Sequence, residues 1–110
     1  MSDQITFEQF KQVEIKMGKI TAAEKVIDAD RLLKLQVDFG EFQRQIISGI
    51  AESFTPEEVV GKSLPFVVNL EYRKFKGERS QGMLMATSNA DGKVVLLEPA
   101  SEVSEGAEVV

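Results

Sequence analysis

Residues 13–22 read Val-Glu-Ile-Lys-Met-Gly-Lys-Ile-Thr-Ala, the pattern of a long strand that bends in its middle. Apolar side chains occupy odd positions up to Met17 and even positions from Ile20, with Gly18 where the alternation slips. A period of two places apolar residues on one face of a strand, and a bulge at a glycine shifts that phase. The stretch therefore predicts the first strand of a curled sheet, with a bulge at Gly18.

More strands follow at short intervals. Residues 33–39 alternate Leu, Leu, Val and Phe with Lys, Gln and Asp, which is the pattern of a half-buried strand, and Gly40 then turns the chain. Further strands are predicted over 44–50, 64–70, 82–88 and 94–97, with a turn at 89–92.

Two short helices are marked by the residues that start them. Thr6 and Gln9 form a capping box, which predicts a helix over 7–12. Thr55 and Glu58 repeat the box, with proline at the first helical position of a second, shorter helix.

The order of these elements predicts an all-β fold. A short N-terminal helix, three strands, a second short helix and two or three more strands match the OB-fold, a five-stranded Greek-key β-barrel with a helix between strands 3 and 4. Other small barrels fit the same pattern. The last residues form a C-terminal extension, and we expect residues 1–110 to form a single domain because no linker or repeat divides them.

Charge is distributed unevenly along the chain. Residues 72–79 read Tyr-Arg-Lys-Phe-Lys-Gly-Glu-Arg, with four basic residues and one acid, whereas the whole chain carries a formal charge of −5. Most of the surface therefore repels a polyanion and this segment attracts it. In an OB-fold the loop between strands 4 and 5 lies beside the ligand face, and residues 72–79 fall in that loop. The pattern predicts a polyanion site there.

Composition narrows the function classes. The chain has no cysteine and no histidine, which excludes disulfides and thiol nucleophiles and removes the commonest general base and metal ligand. Neither a signal segment nor an apolar run of membrane-spanning length is present in the sequence. We expect a non-catalytic, cytoplasmic protein that uses no cofactor or metal and does not enter a membrane.

Six blocks of sequence, in their order and spacing, carry a family resemblance that covers most of the chain. They are Val13–Ile20, Asp28–Leu33, Arg44–Ile50, Thr55–Lys62, Val67–Leu70 and Arg73–Met83. Together they resemble the tRNA-binding domain at the C-terminus of methionyl-tRNA synthetases. That domain also occurs as a free-standing, structure-specific tRNA-binding protein and in the endothelial monocyte-activating polypeptide II group. Two departures are Arg31 in place of a usual lysine and Tyr72 in place of a common proline.

The resemblance implies a non-catalytic module that binds tRNA by its structure. Phosphate contacts are expected from Arg73, Lys74, Lys76 and Arg79, with further contacts from Lys16, Arg31, Lys34 and Arg44. Hydrogen bonds to sugars or bases are expected from Ser48, Asn69, Ser80 and Gln81. Phe75 either stacks on a base or anchors its loop, Asn69 has a loop-bracing alternative, and Met83 lines the binding surface or packs in the core.

Partners follow from the same resemblance. Free-standing members act as homodimers, so a homodimer is expected, with the N-terminal helix, Val103, Val109 and Val110 as candidate contacts. The chain is either free-standing, which a start at Met1 close to the domain favours, or a domain of an aminoacyl-tRNA synthetase. The alternative function is that of a CsaA-type chaperone that binds unfolded polypeptide through Phe75, Met83 and Met85.

Overall fold

A single long strand organises the main sheet. In the computed structural model, which describes residues 2–110, β1 covers Ile15–Val26. Its first half pairs antiparallel with β4 (Ser63–Val67), and its second half pairs antiparallel with β2 (Ala29–Asp38). Because its two halves have different partners, β1 connects both sides of the sheet.

The remaining elements follow the predicted order. They are α1 (Phe7–Lys11), β3 (Gln43–Ser48), α2 (Pro56–Val59), β5 (Arg73–Phe75), β6 (Glu78–Ser80), β7 (Met83–Leu84), β8 (Ala86–Ser88) and β9 (Val94–Leu96). The main sheet has the order β3-β2-β1-β4-β7, which confirms an all-β fold with the strand order of an OB-type barrel. Both predicted capping boxes are present, at Thr6 with Gln9 and at Thr55 with Glu58.

The irregularity in β1 lies at Thr21, so the prediction of a bulge at Gly18 is wrong. The register with β2 shifts between Ile20 and Ala22, which leaves Thr21 as the extra residue. Gly18 pairs with Leu64 of β4 in a regular register, so a bulge is not the reason for a glycine at this position. A Cβ atom there would lie 2.5 Å from Cγ1 of Val37, so the glycine lets β2 side chains pack closely over β1.

The core fills the inside of the curled sheet. The predicted alternation along β2 is confirmed, because Leu33, Leu35, Val37 and Phe39 are each at most 2% exposed. Each such side chain contributes about 1.5–3 kcal/mol through removal of apolar surface from water. The other members of the main cluster are Ile20, Ile46, Ile50, Val59, Leu64, Phe66, Val68 and Leu84.

Two segments differ from the sequence prediction. The basic segment, predicted as a loop, is the β5–β6 hairpin. The predicted fifth strand over 82–88 is two short strands, of which β7 pairs with β4 and β8 pairs with β9 in a separate ribbon. Strand β7 ends where the amide of Met85 donates to the carbonyl of Pro65 at 3.0 Å, and the chain then leaves the main sheet.

The C-terminal extension covers an edge that β2 leaves free. The amide of Met17 donates to Ala107 at 2.8 Å, and the amide of Val109 donates to Ile15 at 2.9 Å. These bonds fix residues 106–109 along the first half of β1. None of the helices in residues 2–110 is long and apolar enough to cross a membrane.

Candidate nucleic-acid interface

The β5–β6 hairpin carries the four basic residues of the segment. Its turn consists of Lys76 and Gly77, with φ angles of 52° and 81°, between the paired residues Phe75 and Glu78. Two positive φ angles define the type I′ turn of tight hairpins, a conformation that glycine adopts easily and lysine seldom does. The turn therefore places the Lys76 ammonium at the hairpin tip despite an unfavourable backbone conformation.

The two outward cations of the hairpin repel each other. Lys74 and Arg79 are direct cross-strand partners, and both are exposed. Like charges in that relation destabilise a hairpin, so stability does not explain the pair. A phosphate between the two side chains removes the repulsion, which makes the pair a candidate phosphate site.

Side chains join the hairpin to the edge of β3. The hydroxyl of Ser80, which is 3% exposed, accepts from the amide of Ile47 and donates to the carbonyl of Gly82, each at 3.0 Å. The Oε1 atom of Gln81 accepts from the amide of Gln45 at 2.9 Å. We call these bonds, with the bond from the Gln81 amide to the Gln45 carbonyl at 2.7 Å, the closing seam. That Ser80 and Gln81 contact tRNA stays a prediction, and the structure gives both a barrel-closing role.

Arg44 fixes the same region from β3. Its Nη1 atom donates to the carbonyl oxygens of Val68 and Gln81, each at 3.1 Å. Its guanidinium carbon lies 4.7 Å from the ring centroid of Phe42 and 5.7 Å from that of Tyr72. Arg44 is half-buried, so its charge reaches the surface while its hydrogen bonds hold two loops together.

The side chain of Asn69 braces the segment before β1, which is the alternative to tRNA contact that its sequence position allowed. Its Oδ1 atom accepts from the amide of Glu14 at 2.8 Å, and its Nδ2 atom donates to the carbonyl of Gln12 at 2.6 Å. These bonds hold the segment before β1 against the end of β4. The side chain is exposed, and its contact with tRNA stays a prediction.

Two predicted cations lie beside carboxylates. The ammonium of Lys34 is 2.9 Å from a Glu24 oxygen and 3.3 Å from a Glu78 oxygen, and these hydrogen bonds raise the pKa of Lys34 above its ordinary value. Arg31 is 3.4 Å from Glu52, and both side chains are well exposed. Lys34 therefore holds the hairpin through Glu78, and its charge is already compensated.

Phe75, Met83 and Ser48 line one cavity of about 210 Å³ beneath the hairpin. Phe75 is half-buried, with the guanidinium carbon of Arg73 4.7 Å from its ring centroid, and Met83 is 45% exposed. Met83 is thus a surface residue. Phe75 anchors the hairpin over the cavity while part of its ring stays accessible, so both of its predicted roles are compatible with its position.

Two aromatic residues that were not among the predicted contacts, Phe42 and Tyr72, lie on the same face. Tyr72 is 46% exposed, and it lines an open groove with Phe42, Arg44 and Lys16. The ammonium of Lys16 lies 5.8 Å from the Phe42 ring centroid. Aromatic and basic residues interleave in Phe42-Gln-Arg44 and Tyr72-Arg73, and this is the sequence pattern that indicates the groove.

The structure therefore collects most predicted residues on one face around the closing seam. A small β-barrel with exposed cations and aromatic rings beside its seam belongs to the class of OB-type nucleic-acid-binding modules. Residues 15–108 match the family described as "Putative tRNA binding domain". The chain belongs to this tRNA-binding domain family.

Individual relatives agree with this assignment. The methionine–tRNA ligase of Chlorobium chlorochromatii is 45% identical over 105 residues, which are 96% of this chain and 15% of the ligase. The solved MetRS related protein from Pyrococcus horikoshii is 42% identical, with a TM-score of 0.93 and coverage of 99% of this chain and 100% of that chain. The solved chaperone CsaA from Bacillus anthracis is 28% identical, with a TM-score of 0.89 and coverage of 98% and 100%. The chain thus spans 15% of the length of that curated ligase.

The closing seam predicts a stability effect at Ser80. Ser80→Ala removes a buried hydroxyl and leaves the amide of Ile47 and the carbonyl of Gly82 without their partner. We expect the free energy of unfolding in urea to fall by about 1–3 kcal/mol. The exposed control Ser101→Ala should stay within about 0.5 kcal/mol of the parent chain. Equal stability of Ser80→Ala and the control would contradict a closing role for this hydroxyl.

Proposed function

We propose that this chain binds folded tRNA and carries out no chemistry of its own. One observation carries the proposal beyond family membership. The hairpin that closes the barrel carries four exposed cations and one acid, whereas the rest of the chain is net acidic, so a polyanion is drawn to one defined face. The absence of cysteine and histidine from the sequence further disfavours an enzyme.

Recognition relies on phosphate positions more than on base sequence. Lys74, Lys76 and Arg79 point to solvent from a short, twisted ribbon and contact neighbouring phosphates of a folded RNA. Folded tRNA offers ridges of phosphates with a few unstacked bases, and shape is the usual basis for recognition of structured RNA. The acidic remainder of the surface orients the tRNA toward the hairpin and disfavours contact elsewhere.

The biological setting follows from the relatives. We propose that the chain serves methionine–tRNA ligase in the cytoplasm, either as a domain of that enzyme or as a separate chain that presents tRNA to it. The similarity of almost the whole chain to a segment of such ligases supports this proposal. The match to the complete solved chain of a MetRS related protein supports the separate form.

A homodimer is the second part of the proposal. None of the five residues of α1, all within the described range, is buried, and Phe7 and Phe10 are 68% and 45% exposed. They line a groove of about 260 Å³ with Val109 and Val110. So short a helix is marginal alone, because helical stability in proteins comes mostly from packing.

Charge at the groove favours a second copy as the occupant. The groove is lined by Lys11 and Lys16 and also by Glu14 and Glu108. Because the groove carries both signs of charge, a two-fold axis through it lets Lys11 of one copy pair with Glu108 of the other. Val103, the remaining predicted contact, lines a different groove with Glu58 of α2 and residues 60–63.

A polypeptide-binding function has one observation in its favour. Leu70 and Met83 are 41% and 45% exposed beside Phe75, and the CsaA fold is closely similar. The predicted third member, Met85, does not line that cavity and is half-buried. Since the hairpin beside this cavity carries four exposed cations and the ligase relatives are far more similar in sequence, tRNA binding fits better.

Binding should depend strongly on salt. If four or five phosphates are neutralised, affinity for folded tRNA should fall by roughly one to three decades between 50 and 200 mM salt. The double variant Lys74→Ser with Lys76→Asn should bind tRNA more weakly. The slope of log affinity against log salt concentration should become shallower by about one per lysine, while the thermal melt stays nearly unchanged. Asparagine tolerates the positive φ of the turn, so the hairpin is kept.

A matched control removes the same charge elsewhere. Lys62→Ser with Lys93→Ser changes two lysines beside Glu58 of α2. Gel-shift titration with folded tRNA should show wild-type affinity and slope for this control. Equal losses in both double variants, or a binding constant that is flat across the salt range, would contradict the hairpin as the phosphate site.

If the chain is a dimer through α1, substitutions in α1 should lower its mass in solution from that of a dimer to that of a monomer. Sedimentation equilibrium should give a dimer for the wild-type chain and a monomer for Phe7→Ser with Phe10→Ser, because the apolar contact is lost while no buried residue of the barrel changes. Ile27→Ser, at an exposed turn between β1 and β2, is the control that should stay dimeric. A wild-type monomer at all concentrations would rule the dimer out.

A further inference from the structure

Cationic and aromatic side chains alternate across one face of the barrel. The Lys16 ammonium lies 5.8 Å from the Phe42 ring centroid. The Arg44 guanidinium carbon lies 4.7 Å from the same ring and 5.7 Å from the Tyr72 ring, which in turn has the Arg79 guanidinium carbon at 6.0 Å. These five residues form a cation–aromatic row that joins β1, β3 and the hairpin.

The middle of this row is fixed to the barrel. The Phe42 ring stacks on the buried ring of Phe39 with centroids 5.2 Å apart. The two hydrogen bonds from Arg44 to main-chain carbonyls prevent the guanidinium from swinging into solvent. Phe42 and Arg44 are therefore in place before any ligand arrives, which lowers the entropy lost on binding.

Tyr72 is the accessible ring of the row. Its side chain is 46% exposed, whereas Phe42 is half-buried. It borders an open groove of about 510 Å³ that also includes Lys16 and Arg44. An aromatic ring left in solvent among cations is placed to stack on a base while the cations meet the adjoining phosphates.

We propose that Tyr72 stacks on an unpaired nucleobase of the bound RNA, with the flanking phosphates along Lys16 and Arg79, the outer cations of the row. This inference rests on the proposed tRNA binding and adds a base-contacting residue to it. Bases inside a double helix are stacked on their neighbours, so the ring selects loops, bulges or single-stranded ends. Arg44 is a positioning residue, since it acts by holding Tyr72 and its loop.

The chain offers a direct optical test. Tyr72 is the single tyrosine and the sequence has no tryptophan, so intrinsic tyrosine fluorescence reports on this ring alone. Folded tRNA and a short oligouridylate should quench it at saturation. An abasic phosphodiester strand of equal length and a blunt RNA duplex should leave it unchanged. Titration of free N-acetyltyrosinamide with each RNA corrects for absorbance.

Substitutions separate stacking from folding. Tyr72→Leu should weaken oligouridylate binding by about 5- to 150-fold, the range for loss of one stacked base. Tyr72→Phe should retain the affinity, because it keeps the ring. Equal thermal melts of the two variants would show that the loss is not a folding defect.

Several outcomes overturn the inference in distinguishable ways. Wild-type tRNA affinity in Tyr72→Leu together with unchanged fluorescence refutes stacking and leaves tRNA binding intact. No binding of any RNA by the wild-type chain refutes the proposed function as well. Quenching by a denatured polypeptide and not by RNA assigns the ring to a protein ligand instead.

Discussion

The rest of the structure depends on the closing seam between β3 and residues 79–82. Side chains replace a continuous backbone ladder between these segments. The Ser80 hydroxyl accepts from the amide of Ile47, and the Gln81 carboxamide accepts from the amide of Gln45. Such bonds to buried amides are costly to lose, because an unpaired buried donor carries its full desolvation penalty. The seam completes the barrel and fixes the base of the β5–β6 hairpin in the same step.

This arrangement explains how a small acidic chain holds repelling charges together. The hairpin is a two-strand ribbon with like charges across one pair and a lysine at positive φ in its turn, so it has little stability of its own. Anchors at both sides offset this: the seam below, and Lys34 through Glu78 beside it. Local features that oppose stability concentrate on the hairpin that we propose as the phosphate site, as is usual for functional sites.

Local pattern in the sequence predicted much of the fold. The alternation over 33–39 and the capping boxes depend on near neighbours, and the structure has both where expected. The bulge at Thr21 and the roles of Ser80 and Gln81 were beyond reach because their partners are distant in sequence. The hairpin was missed because Lys-Gly is an unusual type I′ turn. The basic residues at 73–79 are exposed together on one hairpin, and the compensation of Lys34 by Glu24 depends on strand register.

The central claim is that the face around the closing seam is the tRNA surface. Amide hydrogen exchange of the whole chain with and without folded tRNA tests it most directly, because it maps protection without changing a residue. If this face binds tRNA, exchange should slow in the hairpin at 73–80 and in the adjoining segment at 69–72, while α2 and residues 97–103 exchange as before. Protection confined to α2 and residues 97–103, with the hairpin unaffected, would contradict it.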